Sequence, residues 1–111
     1  DVRDAVRAYY MLVTVNPTSG SYYNIGGTHS CTIEKLLKDL INLSTIKSKL
    51  TIEVDEDRLR PIDADLQVPN TTKFKDHTGW EPQIPYKKTL SDLLNFWRDQ
   101  VAKNNGKYLT R

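Results

Sequence analysis

The sequence predicts an α/β fold on three observations. Apolar residues recur at helical spacing in separate stretches; two short runs, one through Tyr23 to Gly26-Gly27 and one at Leu50–Val54, are rich in β-branched and aromatic residues; and a helical pattern lies between those two runs. Strand, helix, strand in that order makes a parallel pair joined by a right-handed crossover.

The elements follow in chain order. Val2, Ala5, Val6, Tyr9, Leu12 and Val13 give a first helix, with Asp1 placed to cap it and Pro17 and Gly20 of "NPTSG" to stop it. "YYNIGG" is the first strand and its turn. Thr28 to Thr32 then lead into a second helix through Ile33, Leu36, Leu37, Leu40 and Ile41. "LTIEV" alternates as the second strand, and an irregular stretch runs to about Thr71. "TTKFKDHTGWEP" gives a short helix that Gly79 ends in the left-handed conformation, with Trp80 in the core and Asn70 able to cap. Leu90, Leu93, Leu94, Trp97 and Val101 form a C-terminal amphipathic helix, with Thr89 as cap and a polar tail from about residue 103 to 111.

A chain of 111 residues accommodates one domain, and 38% apolar with 27% charged residues is ordinary globular composition. The net charge is +2 and is spread along the chain, so neither a nucleic-acid footprint nor a polybasic membrane patch is predicted. Cys31 stands alone and fits a reducing, cytoplasmic setting, as a buried structural thiol. No apolar run reaches the roughly 20 residues of a membrane span. The abrupt start at Asp1, inside a structured segment, suggests a cut from a longer polypeptide.

Most letters of chemistry dissolve on inspection. His29 and His77 have no neighbours at metal-ligand spacing and are expected in turns or at the surface. Gly26-Gly27 lacks the rest of a phosphate-loop pattern and suits a tight turn. Ser30, His29 and Asp39 contain the residue types of a nucleophilic triad, but Asp39 lies within a helix and no GxSxG surrounds a serine. "RLRPID", Arg58 to Asp63, survives. Pro61 fixes its own φ and biases Arg60 to an extended backbone, so Arg60 can offer a donor fork to phosphate while Asp63 accepts from sugar hydroxyls. A solvated loop with local ion pairs explains the same letters, and local physics alone favours it.

The series "DVRDAVRAYY", "YNIGGTHSCTIEKLL", "RLRPIDADL", "TKFKDHTGWEP" and "TLSDLLNFWR" resembles, in that order, the C-terminal part of the extended short-chain dehydrogenase/reductase family. Within its nucleotide-sugar branch the nearest types are the GDP-mannose 4,6-dehydratases and the GDP-4-keto-6-deoxymannose reductases. The resemblance runs from Asp1 to about Arg98. It implies that residues 1–111 are a substrate-binding lobe lacking the N-terminal Rossmann core. It also implies an NADP-dependent parent enzyme acting on GDP-mannose or a similar nucleotide sugar, that Rossmann domain as partner, and a homo-oligomer. Carried over by motif, Arg60 binds the diphosphate and Asp63 the ribose. Asp63 stands where typical GDP-mannose dehydratases carry glutamate, and Pro69-Asn70 where many relatives carry Gly-Asp. The family's GxxGxxG and Tyr-x-x-x-Lys are not in this sequence, so the fragment alone is expected to be inactive, with no catalytic residue and no cofactor or metal site. A dehydratase or epimerase for another nucleotide sugar, and a free-standing α/β interaction module, remain alternatives. Apolar surfaces meant for the missing domain would make the isolated chain self-associate.

Overall fold

The computed structural model describes residues 1–46, 49–58 and 66–104. Helices α1 (Val2–Thr14), α2 (Ile33–Leu43), α3 (Thr72–Thr78) and α4 (Tyr86–Lys103) follow in order, with a 3-10 turn at Glu56–Arg58 between α2 and α3.

The predicted α/β architecture is corrected: among the described residues there is no strand, and the parallel pair of Tyr23 with Leu50–Val54 does not form. Leu50, Ile52 and Val54 are all exposed, so their alternation has no surface to cover. Strand propensity is largely a preference for packing on a half-buried sheet face, and an isolated strand pair is marginal in water. Tyr23 and Ile25 pack instead against the helical core as irregular chain.

Asp1 caps α1 as predicted, its carboxylate accepting from the Arg3 amide at 2.9 Å. The buried face of that helix is not the apolar stripe. Asp4 and Ala8 are buried, with Met11 and Leu12 half-buried beside them, whereas Val2, Val6, Tyr9 and Val13 are between 61 and 75% exposed. The small Ala8 lets the rings of Phe74 and Trp80 approach, and these three form the core. Thr14 ends the helix before Pro17, and the chain turns through Asn16 at φ 45 and Gly20 at φ 74.

Thr32 caps α2, its hydroxyl accepting from the Lys35 amide at 3.1 Å. Helix α3 ends as predicted on Gly79 in the left-handed region, φ 71. Asn70 accepts from the Thr72 amide at 3.0 Å at its start. Trp80 is buried as predicted, 5.7 Å between ring centres from Phe74. Helix α4 begins earlier than predicted, with Pro85 in the cap position, so Thr89 is helical. Its hydroxyl donates to Asp1 at 2.8 Å instead. Leu90 is buried, and α4 packs along α2. Cys31 is half-buried rather than buried.

Candidate functional site

Asp4 organises the base of a cleft. Its backbone carbonyl accepts from Trp80 Nε1 at 3.1 Å, and its carboxylate accepts from the amides of Gln83 at 3.1 Å and Ile84 at 3.0 Å and from Arg7 at 3.0 Å. Burial pushes this carboxyl's pKa up, but the Ile84 and Gln83 amides and the Arg7 guanidinium outweigh it and hold the group below its ordinary value. The turn between Trp80 and Ile84 is thereby fixed to α1. At the helix start, Arg3 donates to Asp1 at 2.8 Å and to Asp92 of α4 at 2.7 Å, and Lys88 joins Asp92 at 2.6 Å. The hydrogen bonds from Lys88 and Arg3 lower the Asp92 pKa.

Between these elements and the Gly27–His29 loop lies a cleft of about 380 Å³, lined among others by Asp1, Thr28, His29, Gln83, Ile84 and Tyr86. A smaller hollow of about 160 Å³ shares Gly27, Thr28 and His29 with this cleft and is bounded by Gln67, Val68 and Pro69. Gly26 sets that contact, because a Cβ there would overlap the Pro69 ring. The Gly27–His29 loop thus lines both hollows.

Tyr86, the first residue of α4, joins this loop to α2. His29 stacks on its ring at 3.9 Å between centres, the Cys31 thiol donates to its oxygen at 3.7 Å, and its hydroxyl donates to Asp39 at 3.3 Å. Burial, then the Cys31 and Asp39 contacts, push the phenol well above its ordinary pKa and keep it protonated. Lys35, one turn before Asp39, donates to both carboxylate oxygens at 2.6 and 2.8 Å and lowers its pKa.

The predicted substrate residues Arg60 and Asp63 lie outside the described residues. His29 is indeed exposed, whereas His77 braces the fold: its Nε2–H donates to the Asn16 carbonyl at 2.8 Å and its Nδ1 accepts from the Tyr23 hydroxyl. Asp39, dismissed as a triad acid, is occupied by Lys35 and Tyr86. The sequence reading missed Tyr86 as a hub, because its partners are 47 and 55 residues away and no spacing rule joins them.

The residues around Gly26-Gly27 do not fit a dinucleotide. The Thr32 side chain occupies the start of α2 that a phosphate would need, and Glu34 places a carboxylate in its first turn. Among the described residues no group of three or more His, Cys, Asp or Glu side chains suits a metal ion, and no helix is long and apolar enough to cross a membrane.

No protein-family model matches the chain. It is 28% identical over 103 residues to a GDP-6-deoxy-D-mannose reductase of Pseudomonas aeruginosa, covering 93% of this chain and 33% of the relative. It is 27% identical over 99 residues to the dTDP-D-glucose 4,6-dehydratases of Homo sapiens and Bos taurus, covering 86% of this chain and 28% and 27% of those proteins. All three act, by name, on nucleotide-linked sugars. The chain spans about a third of the length of the curated relatives it matches, and its similarity to nucleotide-sugar dehydratases and reductases is weak but runs through nearly all of its length.

Proposed function

We propose that this chain is the nucleotide-sugar-binding C-terminal part of an NADP-dependent enzyme of the extended short-chain dehydrogenase/reductase type. The observation that carries this reading is the match to nucleotide-sugar enzymes over 86 to 93% of the chain, joined to the order of its motifs. Arg60 binds the diphosphate through its donor fork and Asp63 holds the ribose hydroxyls. The dinucleotide and the hydride chemistry belong to the preceding part of the parent. There NADP would take up and return a hydride, while this part holds the nucleotide end of the substrate.

From the motif series the parent is a GDP-mannose 4,6-dehydratase, which eliminates water from GDP-mannose by internal oxidation and reduction. The Pseudomonas relative favours a second reading, a reductase of the 4-keto-6-deoxy product. The two differ in redox balance. The dehydratase returns its hydride and consumes no NADPH over a cycle, whereas the reductase oxidises one NADPH per product.

The test is GDP titration and product analysis with the protein encoded by the full reading frame. Arg60→Ala should weaken GDP by roughly 1.5–3 kcal/mol, the worth of a hydrogen bond to a charged group. Unchanged affinity removes Arg60 from the site. A reading frame lacking both GxxGxxG and Tyr-x-x-x-Lys upstream of Asp1 would leave only the interaction-module alternative.

A further inference from the structure

The chain that follows the Arg60–Asp63 segment meets the body of the fold at a glycine. Leu66 and Val68 of this arm are 72% and 63% exposed. Pro69 instead lays its ring on Gly26, so closely that a Cβ built there would overlap the ring's Cγ and stand 3.3 Å from its Cδ. Glycine leaves room for this approach where a side chain would not. Past the ring the chain is fixed at once, because the Asn70 side chain accepts from the Thr72 amide at 3.0 Å and α3 begins, with Phe74 and Thr78 buried. Before the ring, proline locks its own φ and biases Val68 to an extended backbone, so the arm leaves the contact stiff. Gly26 is equally well held: Tyr23 and Ile25 before it pack on the core, and after it comes the Gly27–His29 loop that lines both hollows.

We propose that Gly26 and Pro69 are positioning residues, whose contact sets where the Arg60–Asp63 segment stands relative to the Gly27–His29 loop and so how tightly a nucleoside diphosphate is held. The assignment rests on the reading of Arg60 and Asp63 as the nucleotide clamp. Asp63 precedes Pro69 by six residues and Arg60 by nine. Six extended residues span at most about 20 Å, so a change of anchorage at Pro69 changes the positions open to both. Neither Gly26 nor Pro69 needs to touch the nucleotide; holding the segment in place lowers the ordering cost that binding would otherwise meet.

The experiment titrates GDP and dTDP into the protein from the full reading frame and into Pro69→Ala, Gly26→Ala, the double variant of these two and Arg60→Ala, with Tm measured for each. Pro69 is exposed, so Pro69→Ala should leave Tm within about 2 °C of wild type. It should nevertheless weaken the diphosphate that binds by at least about fivefold, because the segment must then be ordered on binding. Gly26→Ala should lower both Tm and affinity, since its Cβ drives the ring away. The double variant should recover Tm, because the clash is gone, and not affinity, because the anchor is gone as well. Affinity that follows Tm and returns in the double variant overturns the proposal and makes the contact merely structural. Affinity within about twofold of wild type in Pro69→Ala, while Arg60→Ala weakens it, overturns the proposal and leaves the proposed function standing. A wild type that binds neither diphosphate, or an affinity unchanged in Arg60→Ala, removes the clamp and this assignment with it.

Discussion

Replacing Asp4 tests the packing logic most directly. The side chain is buried, and three donors converge on it: the Gln83 and Ile84 amides and Arg7. A hydrogen bond to a charged group contributes about 1.5–3 kcal/mol, so losing three with no replacement would cost about 4.5 kcal/mol even at the low end of that range. Gln83 is exposed and Arg7 partly so, and water recovers part of the loss. For Asp4→Ala we therefore expect about 2–3 kcal/mol, a large share of the roughly 5–15 kcal/mol that stabilises a domain. At a urea m-value of about 1.5 kcal/mol per M the midpoint falls by about 1.3–2 M, with the slope unchanged. Fluorescence is a suitable probe because Trp80 itself donates to the Asp4 carbonyl. The pH dependence supplies a second reading. The folded pKa of Asp4 lies below the ordinary value of 3.8, so its contribution is complete above that value and is lost as pH falls through the lowered folded pKa. The difference between wild type and Asp4→Asn should shrink over that acidic window. A midpoint shift under about 0.3 M at pH 7, or a difference that stays constant through the acid range, would refute the reasoning.

Gly79→Ala should cost about 1 kcal/mol by urea unfolding, because φ 71 strains a residue with a Cβ. Gly26→Ala meets the Pro69 ring and should cost about 1–3 kcal/mol, relieved in the double variant with Pro69→Ala. Thr32→Ala should lose about 1 kcal/mol as the Lys35 amide loses its cap, while Thr32→Asp retains it. Tyr86 should ionise well above the ordinary phenol range in a spectrophotometric alkaline titration, and Tyr86→Phe should abolish that late transition; a titration unchanged by the substitution would remove the shifted phenol from the description.

The helices were legible where a local signal existed. Asp1 and Gly79 mark ends through side-chain and backbone chemistry that neighbouring residues cannot alter, and both stand where the sequence puts them. The strands were not, since Leu50–Val54 carries strand-forming residues and a ladder depends on a partner that one sequence window does not contain. Periodicity found α1 but does not give its buried face, because it ranks side chains by apolarity and Asp4 is buried for its hydrogen bonds. The Tyr86 hub was invisible for a related reason: Cys31, Asp39 and His29 come together only after α2 has packed on α4. Of the predicted clamp, Arg60 and Asp63 rest on motif order.

The anchoring of α1 has a consequence for the speed of assembly. An ion pair from Arg3 to Asp92 ties its start to α4, Asp4 pins its first turn, Ala8 lies in the core, and His77 holds the carbonyl of Asn16 just past its end. The outer stripe is therefore displayed on a helix whose backbone freedom is already lost when this chain folds. Any surface that packed against it would meet a helix with little left to order, so its association would be limited by encounter and orientation rather than by a folding step.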